Sequence, residues 1–166
     1  MALQAAEAAR ALHPVDLIER VANVNDWAFE RTGEDEISVS VAGSWADYHV
    51  SFSWMEDFEA LHLACAFDLK VPELRVLEIM RLLSLINEQM LFGHFDLWEQ
   101  ERAIMFRQSL LLAGGAEPTS RQVEVLLSSA LDACECYLQA FRFVAASPVC
   151  AKDALAGVLF ETVGNA

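Results

Sequence analysis

The chain has 166 residues, of which 55% are hydrophobic, and its formal net charge is −14, with Lys70 and Lys152 as its only lysines. Such an acidic surface repels phosphate backbones and anionic lipid, so we expect no binding to nucleic acid or to a membrane surface. No apolar run reaches the ~18 residues of a membrane span, and residues 1–13 do not resemble a signal peptide. We therefore expect a cytoplasmic protein with a single domain over residues 1–166, in which 1–13 form a partly helical N-terminal extension.

The first predicted helix covers residues 14–32. Pro14 suits the first helical turn, apolar residues then recur at helical spacing, and Gly33 can supply the left-handed residue past the last turn. Three strands follow, because apolar residues alternate with smaller or polar ones over residues 37–41, 48–54 and 61–69. The connections between them are short, which predicts an antiparallel meander with one apolar and one polar face.

A second helix is predicted over residues 72–90 and is apolar on nearly all sides. Its sheet-facing stripe comprises Val76, Ile79, Met80, Leu83, Ile86 and Met90. Further leucines widen this stripe: Leu74, Leu77, Leu82 and Leu85. A helix that is apolar nearly all round is buried on more than one side. We predict that these four leucines form a homodimer interface; the alternative is that the C-terminal helices cover them.

A hairpin follows, with a charged four-residue turn at residues 99–102. Alternation places Phe95 and Leu97 on the core side together with Ile104 and Phe106. The opposite side then carries His94, Asp96, Trp98, Met105 and Arg107. A capping box at residues 119–122 begins a third helix that runs to about residue 145, and a last helix follows Pro148.

These elements predict an α+β fold of order α-β-β-β-α-β-β-α-α. In this fold the helices pack on one face of a five-stranded antiparallel sheet. There are no internal repeats and no stretch with the composition of an interdomain linker. Strand order within the sheet does not follow from the local pattern.

The sequence contains no recognisable catalytic signature. A glycine-rich phosphate loop, a nucleophile elbow and a CxxC pair are all absent. Cys134 and Cys136 are about 200° apart around a helix and cannot share a metal, so Cys65, Cys134, Cys136 and Cys150 are interpreted as buried free thiols. We predict no catalytic residues and no cofactor.

Because side chains alternate between the two faces of a strand, many polar side chains are predicted to lie on one face of the sheet. The meander contributes Asp47, His49, Ser51, His62 and Asp68, and a plausible register sets Ser51 beside His62. His94 and Asp96 lie on the outer side of the hairpin. Histidines and carboxylates on one surface could bind zinc, and a metal enzyme built on His49, His62 and His94 is one hypothesis. The alternative, that these are ordinary solvent-facing residues, is favoured, and no metal site is predicted.

Aromatic residues occur at strand ends and turns: Trp45, Trp54, Trp98, Tyr48 and Phe58. Exposed aromatic side chains mark contact sites because they bury a large area at small entropic cost. We therefore predict Trp45, Trp54 and Trp98 as partner-binding residues. The alternative is that these rings close the ends of the core.

Three segments carry a resemblance to a known family: INEQMLFGHFDLWE at residues 86–99, MFRQSLLLAGG at 105–115 with the helix after it, and LFETVGNA at 159–166. On these motifs the chain resembles YbjN-domain proteins, which are described as bacterial sensory transduction regulators. The resemblance implies an architecture similar to type III secretion chaperones, small acidic homodimers that hold partner segments without catalysis. The additional C-terminal helix departs from that pattern.

The sequence thus favours a non-enzymatic protein-interaction module, a regulator or chaperone-like adaptor that forms a homodimer and binds an unidentified protein. The acidic surface, the broadly apolar second helix and the lack of catalytic groupings support this interpretation. The alternative is a sensor domain that binds a small ligand between the sheet and the helices.

Overall fold

The computed structural model describes the backbone of residues 10–164 and the side chains of residues 10–159. Within this range the helices are α1 (Pro14–Val24), α2 (Val76–Asn87), α3 (Ser120–Ala146) and α4 (Ala151–Gly164). The strands are β1 (Ala28–Arg31), β2 (Glu36–Ala42), β3 (Asp47–Met55), β4 (Ala60–Lys70), β5 (His94–Trp98) and β6 (Ala103–Leu111). Most of the predicted extension at residues 1–13 lies outside the described residues. No helix of the described chain is long and apolar enough to cross a bilayer.

The strands form one antiparallel sheet in the order β1-β2-β3-β4-β6-β5. The predicted architecture is confirmed, but the predicted number of strands was wrong because the described sheet has six. The additional strand is β1, which pairs with β2 at the edge of the sheet. Its residues had been assigned to the end of the first helix.

Helix α1 ends at Val24, eight residues before the predicted boundary, through a Schellman motif. Asp26 adopts a left-handed conformation with φ of 58°. The N–H of Trp27 then donates to the carbonyl of Ala22 at 3.0 Å, and that of Asp26 to the carbonyl of Asn23 at 3.3 Å. These bonds satisfy the last helical carbonyls. The prediction failed because it relied on a glycine stop signal, whereas an aspartate takes the left-handed position here.

The pairing of β5 with β6 confirms the predicted hairpin. Phe95 lies opposite Phe106, and Leu97 lies opposite Ile104. The predicted register between β3 and β4 was wrong by two residues: Ser51 pairs with Ala64 and His62 with Ser53. The connection between these strands takes four residues, including a 3-10 turn at Glu56–Phe58, and turn length sets the register of a hairpin. A shift of two leaves every side chain on its predicted face.

Among the described residues, helices cover one face of the sheet. Helices α1, α2 and α3 pack on the apolar face, and α4 packs on α2 and α3. The other side is called the open face here, and the residues at its centre are small, polar or histidine. Its centre contains Ser38, Ser40, His49, Ser51, Ser53, His62, Ala64 and Ala66.

Helix α2 holds the corner between α3 and α4 with two charged side chains. The Arg75 guanidinium, just before α2, donates to the carbonyls of Val144 and Val149. The Glu78 carboxylate accepts the N–H of Ala151, at the start of α4, at 2.8 Å. This bond, followed by the Arg81 guanidinium, lowers the pKa of Glu78. Helix α4 is therefore fixed at its first turn by polar contacts.

A second polar cluster joins the start of the described chain to the sheet. The Arg10 guanidinium donates to Glu59 Oε1 at 2.7 Å and lies 4.6 Å from the centre of the Trp54 ring. The Glu59 carboxylate also accepts the N–H groups of Gly114 and Gly115, at 2.9 and 3.2 Å. The Gly114 N–H above all, and then Arg10, lower the pKa of Glu59. Carboxylates that accept several donors favour their charged form.

Candidate functional site

The three tryptophans predicted to bind a partner do not share a surface. Trp45, between β2 and β3, and Trp98, at the end of β5, are exposed. Trp54 is only 7% exposed, so the structure does not support its role as a surface contact. Trp54 alternates with the polar residues of β3, so its side chain lies on the core face of the strand. Arg10 and His13 pack against it there.

The four leucines predicted as a dimer interface separate into exposed and buried positions. Leu74 is 96% exposed and Leu77 is 74% exposed, whereas Leu85 is partly buried and Leu82 is fully buried. Leu82 is therefore wrong as an interface residue, because it packs into the core. Met80 was assigned to the core but is exposed. Leu74, Leu77 and Met80 are spaced by three residues, so they form one exposed apolar row, called the α2 stripe.

The histidines of the open face hydrogen-bond to neighbouring side chains. His49 Nδ1 lies 2.9 Å from Ser40 Oγ, and His62 Nε2 accepts the Nε–H of Arg107 at 3.2 Å. His94 pairs with Arg107 across the β5–β6 register. The described residues contain no group of three or more histidine, cysteine or acidic side chains that could hold a metal ion.

The predicted free cysteines are confirmed as free, but not all are buried. Cys65 and Cys134 lie in the core and Cys136 is half-buried, whereas Cys150, in the corner between α3 and α4, is exposed. A hydrogen bond to Cys65, together with burial, raises the pKa of the Cys134 thiol. Burial also raises the pKa of Cys136. A raised pKa disfavours the thiolate, which is the nucleophilic form.

The open face has a shallow groove made of two adjoining hollows of about 300 and 280 Å³. His62, Arg107 and Ser109 line both hollows. Met55, Phe58 and Ala60 complete the first hollow, and Leu91, Phe92, Gly93, His94 and Gln108 complete the second. We call this feature the open-face groove. Its exposed aromatic rings stand on opposite sides of a polar floor.

Arg107 is the central charge of the open-face groove. Its Nε–H donates to His62, and its Nη1 lies 3.4 Å from Asp96 Oδ2. Burial, followed by the charge of Arg107 and by His94, lowers the pKa of His62. His62 is therefore neutral at pH 7 and acts as a hydrogen-bond acceptor, which fixes the orientation of the guanidinium.

The backbone around Gly93 positions the loop that carries Leu91 and Phe92. Gly93 has φ of 70°, and a Cβ at this position would lie 2.3 Å from the Phe106 ring. The Asn87 side chain accepts the N–H of Phe95 at 2.8 Å and donates to its carbonyl at 2.9 Å. These contacts hold the loop that presents Leu91 and Phe92 beside β5.

A second concave surface of about 560 Å³ lies between α3 and α4. Trp45, Ala140, Phe143, Ala154, Gly157 and Val158 supply its apolar lining, and Gln139, Arg142, Ala146 and Asp153 complete it. We call it the α3–α4 cleft. The backbone N–H of Trp45 is directed at Glu135 Oε1 at 3.4 Å, which ties the loop before β3 to α3.

Several contact residues were not found from the sequence. Phe92 and Leu91 form an exposed apolar pair directly before a glycine, and such a pair in a turn is the signal that could have revealed them. Arg107 and Asp96 were predicted to share the outer side of the hairpin. The contact of Arg107 with His62 depends on the pairing of β4 with β6, which local patterns do not encode.

Comparison with protein families identifies a match over residues 14–143 to YbjN, described as "putative bacterial sensory transduction regulator". Helix α4 lies beyond the matched residues. Comparison with curated proteins gives no significant match.

Three solved structures align with most of this chain. The crystal structure of "YbjN, a putative transcription regulator from E. coli" is 11% identical, with a TM-score of 0.54, covering 89% of this chain and 93% of that one. A chain of the ExsC–ExsE complex is 16% identical, with a TM-score of 0.53, and the match covers 80% of this chain and 93% of that one. The HopA1–SchA chaperone–effector complex is 12% identical, with a TM-score of 0.45, and the match covers 77% of this chain and 91% of that one. The predicted family and fold class are confirmed.

Proposed function

Because this chain belongs to the YbjN family, we propose that it is a non-enzymatic protein-interaction module that acts in the cytoplasm as a regulator or chaperone-like adaptor. The observation that carries the proposal is the α2 stripe. Large apolar side chains are exposed along one row of a helix whose opposite side packs into the core. Apolar surface gains free energy when it leaves water, so a contiguous exposed row is a surface for association.

The occupant proposed for the α2 stripe is a second copy of the chain. Leu74, Leu77 and Met80 alternate with charged residues, among them Glu73 and Arg81, so an antiparallel contact between two α2 helices can join apolar rows and leave charges at the rim. Such a twofold contact is self-complementary, as homodimer interfaces are. The structural neighbour ExsC–ExsE is a complex of two proteins, which supports an interaction role for the fold.

The first test is quantitative affinity capture with the full chain as bait, after crosslinking in the native host. Wild type is compared with Leu77→Asp and with Val125→Asp, which makes the same change at an exposed apolar position of α3. We expect wild type and Val125→Asp to recover the same protein partner in similar amount. Failure of the wild-type chain to enrich any protein over a beads-only control would contradict the adaptor function.

The second candidate function, a small-ligand sensor, is favoured by the α3–α4 cleft. Its volume of about 560 Å³ falls in the range of small-molecule pockets, and its apolar lining includes the Trp45 ring. The cleft lies between two helices, whereas the sequence pattern predicts a ligand pocket between the sheet and the helices.

Thermal-shift screening against a metabolite library separates the two functions. A ligand that binds only the folded state raises the melting temperature, and a ligand in the cleft changes Trp45 fluorescence. A saturable shift that is lost in Phe143→Ser would favour the sensor. The protein-interaction function predicts no metabolite with such an effect.

A further inference from the structure

We propose that the open-face groove binds an extended, acidic segment of a partner protein, with a carboxylate of that segment on Arg107 and its apolar side chains on Phe58 and Phe92. This proposal rests on the protein-interaction function and names the chemistry of the partner at a second surface, on the opposite face of the sheet from α2.

The shape of the groove suits an extended chain. Its two hollows, of about 300 and 280 Å³, adjoin at Arg107 and are each open to solvent. Each alone is at the lower limit for a small-molecule pocket. Together they form an elongated surface with a charge in the middle and one exposed aromatic ring on either side, Phe58 at 69% and Phe92 at 65% exposure.

The charge of the groove selects the partner. The chain has a net charge of −14, and two arginines on other parts of the molecule are held closely by carboxylates, Arg31 by Asp16 at 2.6 Å and Arg10 by Glu59 at 2.7 Å. Arg107 is held by a neutral histidine and by Asp96 at 3.4 Å. A guanidinium offers planar pairs of donors that match a carboxylate, and no hydrogen bond within the described residues uses Nη2 of Arg107.

The surroundings of the groove are consistent with this assignment. Glu56 and Asp57 precede Phe58 but line neither hollow. Asp96 is the acidic group in contact with the guanidinium, so an incoming carboxylate competes with it. Removal of the Asp96 charge should therefore strengthen binding.

The test is fluorescence anisotropy with two labelled peptides, AFSESFA and AFSQSFA, both with blocked ends. They differ only in one carboxylate. We expect the acidic peptide to bind the full chain about tenfold more tightly than the amide peptide at low salt, and the difference to shrink as salt screens the charge.

Variants locate the site. Arg107→Gln should remove the preference between the peptides, and Asp96→Asn should strengthen binding of the acidic one several-fold. Phe92→Ser, at an exposed loop position that leaves the core intact, should weaken both peptides. Arg142→Gln, in the α3–α4 cleft, is the matched control for loss of one arginine and should leave both affinities unchanged.

Other outcomes separate this proposal from the proposed function. Equal affinity for the two peptides, or a preference that survives Arg107→Gln, would overturn the assignment of the groove. Displacement of the acidic peptide by an equal concentration of succinate would also overturn it, since that result would identify a site for small carboxylates. In all these cases, a dimer that dissociates in Leu77→Asp would leave the protein-interaction function standing.

Discussion

Single residues determine whether the groove can form, and Gly93 is the most constrained of them. Its positive φ disfavours a side chain, and its contact with the Phe106 ring leaves no space for one. Gly114 shares the positive φ, 78°, but has open space at its Cβ position, and Gly33 has open space and an unstrained backbone. A comparison of alanine substitutions at these three glycines therefore distinguishes the cost of backbone strain from the cost of a steric clash.

We predict that Gly93→Ala destabilises the fold by about 1–3 kcal/mol or more, because it adds a clash to the cost of a left-handed alanine. Gly114→Ala should cost about 1 kcal/mol from backbone strain alone, and Gly33→Ala should be near neutral. Equilibrium unfolding in urea measures all three. An equal cost for Gly93→Ala and Gly114→Ala would show that the Phe106 contact is not tight.

Glu59 gives a prediction for pH. Its pKa is lowered in the folded state by the Gly114 N–H and by Arg10, so its charge stabilises the fold above the unfolded pKa and ceases to do so as pH falls through the lower, folded pKa. Glu59→Gln keeps the shape but not the charge. Its melting temperature should be below that of wild type at pH 7, and the difference should shrink as the pH falls below the ordinary glutamate pKa of about 4.3. A difference that is constant with pH would contradict this.

At the scale of elements, α4 depends on the corner held by Arg75 and Glu78. Its buried side chains among the described residues are small or few: Ala151, Ala154 and Leu155. Most of the order at its first turn therefore comes from the Glu78 carboxylate and from the carbonyls that Arg75 fixes just before it.

We predict that Arg75→Met destabilises the protein by about 1–3 kcal/mol, since hydrogen bonds from a charged group to two carbonyls are lost. Hydrogen exchange should accelerate in α4 before it does in the sheet. Arg81→Gln, which removes an exposed pair with Glu78, is the control and should change stability by less than about 0.5 kcal/mol. Uniform acceleration across the sheet and α4 in Arg75→Met would contradict a local role.

The helices and strands also show which features of the fold local sequence patterns can predict. Alternation identified the faces of β2 to β6, and the Thr119–Gln122 capping box, present in the structure, fixed the start of α3, because these signals are local. The end of α1 was missed because Asp26 replaces the expected glycine. The groove was missed because β4 and β6, far apart in sequence, must pair before His62 and Arg107 meet.

At the scale of the whole molecule, one sheet separates two different surfaces. On the helical side the described residues present the α2 stripe and the α3–α4 cleft. On the other side the open face presents small residues around the open-face groove. This division supports a molecule that can contact a second copy and a partner segment at the same time.

Sedimentation equilibrium at micromolar concentrations tests the central claim, that the molecule associates through its exposed apolar surface. Asp is tolerated near a helix N-terminus, so Leu77→Asp in the first turn of α2 should fold normally. We predict twice the chain mass of 18.4 kDa for wild type and for Val125→Asp, and the single-chain mass for Leu77→Asp. A wild-type mass of 18.4 kDa throughout, or a dimer unaffected by Leu77→Asp, would contradict the account.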